Sequence, residues 1–307
     1  MEKPTITAGG RADSRWLVDA KWGFFTHFMA HMASDPGSVM PREQWIRKVN
    51  ALDPRKLADQ LAALKTPYFF ITIGQHRMYY CTPNETFDKH FGVDMGVRPE
   101  RDLIAEIARE VTARGIRMCV YINAHGSFEY PDGKRHRKPG DTKAWIDVLT
   151  EWSDRWGKLI SAWWVDGGLI EPYDTYQAYF KALKSGNPDA LVATKLWSKL
   201  PDEQVLEDYT DGESGFLLQV DSRHFHGARE GVTDKLPLHF LTFLGEFWGY
   251  GEPRFPVELV TGWTQHINKL GGTVSWDCPI TDGGEIPQAV FKQLEVLSRK
   301  VGRGGEQ

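Results

Sequence analysis

The feature that most limits what this chain can fold into is an alternation. Short apolar runs rich in β-formers are separated by stretches long enough for a helix. Parallel strands cannot be joined by a tight turn; each pair needs a crossover of about a dozen residues or more, which is usually a helix. The runs 22–28 (WGFFTHF), 67–73 (PYFFITI), 116–122 (IRMCVYI), 159–165 (LISAWWV), 190–196 (ALVATKL), 215–220 (GFLLQV), 238–244 (LHFLTFL) and 272–276 (GTVSW) read as eight strands, the sixth and seventh carrying the weakest pattern. Between them 99–114 opens with Pro, carries acids in its first turn, repeats apolar residues at three and four, and stops at Gly115. Less regular helical patterns occupy 54–64, 142–157, 173–185, 256–270 and 286–301. No repeat, low-complexity tract or linker interrupts them. The expected architecture is α/β, a (β/α)8 TIM-like barrel, and such barrels run to roughly 250 residues or more as one unit. All 307 residues are therefore assigned to a single catalytic domain, 1–307.

Where the strands end, the chain turns polar or aromatic: Thr26-His27, Gln75-His76, Asn123 and His125, Asp166, Lys195 and Trp197, Gln219 and Asp221, Glu246 and Trp248, Trp276-Asp277. In a closed parallel barrel these C-terminal ends share one face, the face on which barrel enzymes carry their chemistry. Asp166, in Ser-Ala-Trp-Trp-Val-Asp-Gly-Gly, is the sharpest of them. An Asp before Gly can simply cap a turn. This one closes a strand too apolar for the surface, which suits a rigidly held carboxylate nucleophile at a partly desolvated mouth.

Composition narrows the function classes. The net charge is −4, and the one basic run, Lys134 to Lys138, lies between turn signals, so nucleic acid is not an expected partner. Cys81, Cys119 and Cys278 are dispersed and form no Cys-x-x-Cys pair, which indicates neither a disulfide framework nor a zinc ribbon. No apolar run reaches the ~20 residues of a membrane helix, and the N-terminus lacks a signal core. The expected location is cytoplasmic, or secreted or periplasmic if a leader has been removed. The 12 Trp, 10 Tyr and 16 Phe tilt the reading modestly toward sugar-ring stacking.

The motifs carry a resemblance. Lys-Trp-Gly-Phe-Phe-Thr-His-Phe at 21–28, Trp-Trp-Val-Asp-Gly at 163–167, Phe247-Trp248-Gly249-Tyr250, and the segment from Gly271-Gly272 to Asp282-Gly283 resemble, in order and approximate spacing, four motifs of the α-L-fucosidases of glycoside hydrolase family 29. The resemblance implies a (β/α)8 catalytic barrel, a retaining exo-glycosidase acting by double displacement on a terminal fucose-like sugar, Asp166 as nucleophile and His27 as a sugar contact. It also implies a carbohydrate substrate and no cofactor or metal. Glu213, in Asp208-Tyr209-Thr210-Asp211-Gly212-Glu213, matches a segment where some members carry the acid/base. Glu246 and then Glu43 are the alternatives.

The chain departs from the family at the sugar pocket. The second-strand segment keeps one His, His76, beside Gln75, and a fifth-strand Arg is replaced by Leu196 with Lys195 next to it. The expected sugar-binding set is His27, Gln75, His76, Asn123, Lys195 and Glu246, with Trp45, Trp197, Trp248 and Trp276 walling the pocket. The family's C-terminal β-sandwich is not expected, which leaves room for a homo-oligomer to complete the cleft. Two other classes compete: a sugar-binding barrel that has lost its chemistry, and a metal-dependent hydrolase built on His27, His76, His125 and Asp166. The other histidines, with His224-Phe225-His226 the only metal-like spacing, read as loop or packing residues.

Overall fold

A strand buried on both faces needs apolar residues at nearly every position, and most of the eight expected runs have that form. The computed structural model, which describes residues 11–32, 35–75, 78–124, 140–167, 172–195, 206–218 and 236–302, turns them into strands. They are β1 (Trp22–Thr26), β4 (Tyr68–Gly74), β5 (Arg117–Asn123), β6 (Ile160–Asp166), β7 (Leu191–Thr194), β8 (Glu213–Gly215), β9 (His239–Phe243) and β10 (Thr273–Asp277). A small antiparallel hairpin of β2 (His31–Met32) and β3 (Asp35–Val39) stands apart. The eight others form one parallel sheet in the order β7-β6-β5-β4-β1-β10-β9-β8, in which every strand but the β7–β8 pair is hydrogen-bonded to its sequence neighbour and the last strand is joined to the first, as in a (β/α)8 barrel.

The ladder does not run between β7 and β8. There the segment before β8 stitches the seam: Asp208 donates its N–H to the Val192 carbonyl (2.9 Å) and accepts the Val192 N–H on Oδ2 (2.8 Å). Trp164 reaches across to the Asp211 carbonyl (2.9 Å).

The helices are α1 (Arg15–Asp19), α2 (Arg42–Ala51), α3 (Pro54–Ala63), α4 (Glu85–Phe91), α5 (Leu103–Ala113), α6 (Asp141–Trp156), α7 (Tyr173–Leu183), α8 (Val257–Lys269) and α9 (Gln288–Val301). Caps explain their starts. Asp53 accepts from Arg55 and Lys56 with Pro54 at the first helical position, and Asp102 accepts from Ala105. The latter moves the start of the 99–114 helix inward to Leu103, because Asp102 rather than Pro99 satisfies the open N–H groups. None of the described helices is long and apolar enough to cross a membrane.

Successive strand residues point to opposite faces, and this splits the core in two. Trp22, Phe24, Ile71, Val120, Trp163 and Trp276 pack outward against the helices, while Phe25, Phe70, Tyr121, Trp164, Ala193 and Leu241 fill the barrel. Two residues beyond the last inward apolar group of each strand stand His27, Asn123, Asp166 and Lys195, which delivers them to one mouth.

The sixth strand departs from expectation. It is Glu213–Gly215, pairing with Leu241 and Thr242, not 215–220. Gly212 and Gly215 have φ of 63° and 60°, and a Cβ on Gly212 would lie 1.7 Å from the His239 carbonyl oxygen, so the chain enters and leaves this strand on glycines. The apolar Phe216 and Leu217 that suggested a strand are 63% and 62% exposed.

Candidate active site

Asp166 ends β6, and its carboxylate is held on both oxygens. Tyr121 donates its hydroxyl to Oδ2 (2.7 Å), Gln75 donates Nε2 to the same oxygen (3.4 Å), and the Gly167 N–H donates to Oδ1 (2.7 Å). Gly167 has φ of 79°, a turn that lets its amide fold back onto the side chain. The side chain remains about 21% exposed, so it faces the mouth rather than the interior. Tyr121 is buried and stacked on Trp164 with centroids 5.3 Å apart. Burial and the neighbouring carboxylate push its hydroxyl well above the usual tyrosine range, which keeps it a donor.

Lys195, just past β7, bridges two carboxylates. Its Nζ lies 2.6 Å from Glu213 Oε2 and 3.7 Å from Asp166 Oδ1. Laid end to end these legs put the two carboxyl oxygens no more than about 6.3 Å apart. Burial pulls the ammonium down, but the Glu213 and Asp166 carboxylates prevail and raise it, so Lys195 is cationic. Glu213 owes its place to β8 and to its own N–H, which donates to Asp211 Oδ1 (3.3 Å). Burial pushes Asp211 up to about 7 against the pull of that N–H.

His27 follows β1. Asp277, at the end of the neighbouring β10, accepts both the His27 backbone N–H (2.8 Å) and Nδ1 (2.9 Å) on Oδ1, while its Oδ2 accepts the Gly249 N–H. The imidazole lies 5.1 Å from the Tyr121 ring and 5.0 Å from the Trp248 ring, centroid to centroid. Gly249 has φ of 64°, and a Cβ there would sit 2.3 Å from the His27 carbonyl oxygen. The Trp-Gly-Tyr turn therefore needs glycine in order to seat Trp248 over the histidine.

Asp166, Glu213, Lys195, Gln75, His27 and Trp248 thus come together, and Asn123 stands in register with Asp166 on the adjacent strand. Two expected residues do not join them. Trp45 is fully buried on α2, packs against Phe28 and donates its indole N–H to the Tyr80 carbonyl (2.9 Å); it is core. Trp276 is also fully buried and faces outward, its Nε1 donating to Thr264 of α8 (3.0 Å). The pleat decides this, because Trp276 shares the parity of Phe24 while Asp277 shares that of Phe25. Glu246 is exposed, with its side chain against Gly251, and Glu43 is exposed on the first turn of α2. His76 and Trp197 lie outside the described residues, as do His125, His224 and His226.

Two residues of the site were not singled out from sequence. Tyr121 sits inside an apolar run, and its parity with Asn123 was the available signal. Asp277 was visible as a polar strand end, but its grip on His27 needed the β1–β10 pairing. Among the described residues no group of three His, Cys, Asp or Glu side chains is placed to hold a metal ion. A cavity of about 930 Å³ lined by Trp16, Lys65, Arg117 and Arg299 opens beneath the opposite ends of the strands and contains none of these groups.

Comparison with known proteins agrees with the barrel. No protein-family model matches the chain, and no curated protein matches it by sequence. Solved structures do. An endo-fucoidan hydrolase, MfFcnA4 from glycoside hydrolase family 107, superposes with a TM-score of 0.68 at 16% identity over 92% of this chain and 53% of its own. The Thermotoga maritima α-fucosidase gives 0.66 at 18% over 95% and 74%. α-L-Fucosidase isoenzyme 1 from Paenibacillus thiaminolyticus gives 0.67 at 17% over 93% and 74%. The chain spans about half the length of the first of these. At such identities the likeness shows the shared (β/α)8 fold.

Proposed function

We propose that this chain is a retaining exo-glycoside hydrolase that removes a terminal fucose-like sugar by double displacement. The observation that carries the reading is the pair of carboxyls straddling Lys195. The shared cation puts one oxygen of Glu213 within about 6.3 Å of one oxygen of Asp166, so both carboxyls reach one sugar-sized site, as the pair of a retaining glycosidase must. Asp166 attacks the anomeric carbon and forms a glycosyl ester while the leaving oxygen takes a proton from Glu213. Glu213 then removes a proton from the water that breaks the ester and restores Asp166. His27, Gln75, Asn123 and Lys195 hydrogen-bond the sugar hydroxyls, and Trp248 covers an apolar face. His76, Trp197 and Glu246 are further candidates for the sugar pocket.

The fucose-like specificity is supported by the four motifs and by the barrel shared with fucosidases and a fucoidan hydrolase. The experiment is a panel of 4-nitrophenyl glycosides including α-L-fucoside, α-L-rhamnoside and β-D-galactoside, run with wild type and Asp166→Asn. Turnover of the fucoside, its loss in the folded variant, and an NMR-observed product of retained configuration are expected. Wild-type-like rates in Asp166→Asn refute the assignment.

A second reading, a sugar-binding barrel without turnover, draws on the Lys195–Glu213 ion pair, which occupies a carboxyl oxygen that must deliver the proton. Sugar binding with no hydrolysis of any aryl glycoside selects it.

A further inference from the structure

Five aromatic rings run out of the mouth beside Glu213. From His27 the chain of contacts passes to Trp248 (5.0 Å between centroids), from Trp248 to Phe243 (4.9 Å), and from Phe243 to Phe247 (5.7 Å) and Phe216 (5.1 Å), which also meet each other at 5.9 Å. Phe243 is buried and His27, Trp248 and Phe247 are half-buried, whereas Phe216 at the outer end is 63% exposed. Phe216 and its neighbour Leu217, 63% and 62% exposed, together make an apolar surface of the kind that marks a binding site.

The segment is held firmly. Arg254 donates to the carbonyls of Phe243 (Nε, 3.1 Å), Gly215 (Nη2, 3.0 Å) and Phe216 (Nη1, 2.7 Å), with its guanidinium 4.0 Å from the Phe243 ring centre. One cation thus clamps the exit of β8 to β9 and fixes the backbone that carries Phe216.

Position gives the shelf its role. Phe216 lies three residues after Glu213, just past the end of the strand that carries that carboxyl, and a proton donor to a glycosidic oxygen must stand on the side from which the leaving group departs. We propose that Phe216 and Phe247 form the leaving-group subsite, an aromatic shelf on which the pyranose ring of the departing sugar stacks. This rests on the hydrolase reading and deepens it: the natural substrate is a fucosylated oligosaccharide whose next residue presents an apolar ring face, not a small aglycone. Continuity with Glu213 favours a sugar over a second protein as the occupant.

The test compares two leaving groups on one glycon. α-L-Fucosyl fluoride departs as a single atom and cannot touch the shelf, whereas a fucosylated disaccharide departs as a ring that can. In Phe216→Ala the ratio of kcat/KM for the fucosylated disaccharide over that for the fluoride is expected to fall about five- to tenfold, the size of an aromatic stacking contact. Phe247→Ala is expected to move the same way and Phe216→Trp to keep the wild-type ratio, with thermal midpoints confirming the fold. An unchanged ratio in both alanine variants, or equal losses on the two substrates, overturns the subsite while leaving the hydrolase reading standing. A wild-type enzyme inert toward both substrates removes the hydrolase reading and the subsite with it.

Discussion

The Tyr121 hydroxyl donates a 2.7 Å hydrogen bond to Oδ2 of Asp166 from the neighbouring strand, and its ring stacks on Trp164 with centroids 5.3 Å apart. In the proposed mechanism the carboxylate has to be held still without being neutralised, and a buried phenol does both. Tyr121→Phe keeps the stack and removes only the donor. A hydrogen bond to a charged group contributes about 1.5–3 kcal/mol, so kcat is expected to fall roughly ten- to hundredfold with KM little changed. Steady-state kinetics on an aryl glycoside read this, and an unaltered kcat assigns Tyr121 to packing alone.

Glu213 has a different signature. If it delivers the proton, Glu213→Gln should lose far more activity, about a hundredfold or more, on an unactivated glycoside than on 4-nitrophenyl glycosides, whose leaving group needs little protonation. Added azide, which attacks without a base, should restore turnover and yield a glycosyl azide. Equal losses on both substrates and no azide product would transfer the role to another acid, with Glu246 next in line.

Much of this was readable before the fold was known, and the exceptions share a cause. β1, β4, β5, β6 and β7 are buried on both faces, so each appears as an unbroken apolar run. β8 has only Glu213, Ser214 and Gly215, none of them an apolar strand former, and the neighbouring Phe-Leu-Leu drew the assignment away. Asp166 was legible because a carboxylate ending so apolar a run has few structural uses. Trp45 and Trp276 went the other way: tryptophan suits a sugar platform and a helix-to-sheet interface equally well, and only the pleat, which turns Trp276 outward and Asp277 inward, separates the two.

Gly249 follows from contact geometry. A side chain there meets the His27 carbonyl oxygen at 2.3 Å and strains a backbone at φ of 64°. Gly249→Ala is expected to cost about 1–3 kcal/mol of stability and to raise KM, since the turn carries both Trp248 and the N–H that holds Asp277. Urea midpoints and KM check it, and an alanine variant with both unchanged contradicts the seating of Trp248 described above.

Asp211 gives a pH dependence whose sign can be worked out. Its folded pKa is raised from 3.8 to about 7, so the folded state binds a proton more tightly than the unfolded state. Its contribution to stability is therefore complete below the unfolded value near 3.8 and is lost as pH climbs through about 7. Asp211→Asn should remove that part of the slope, so the variant gains relative to wild type as pH rises from 4 to 7. Paired urea melts across this window decide it, and parallel curves show that the carboxyl is already ionised in the fold.

Lys195 ties the two halves of the chemistry together. With Nζ 2.6 Å from Glu213 and 3.7 Å from Asp166, it offsets the repulsion between the two carboxylates, which the proposed reaction needs close together. Without the cation, two negative charges at that spacing repel and the geometry of the pair is disturbed. Lys195→Met is therefore expected to lower kcat about tenfold or more with little change in KM, whereas Lys195→Arg, which keeps the charge, should retain most of the wild-type kcat. A residue that only hydrogen-bonds a sugar hydroxyl would raise KM and leave kcat nearly alone. Steady-state kinetics of the two variants thus separate a cation that organises the carboxyl pair from one that merely contacts substrate.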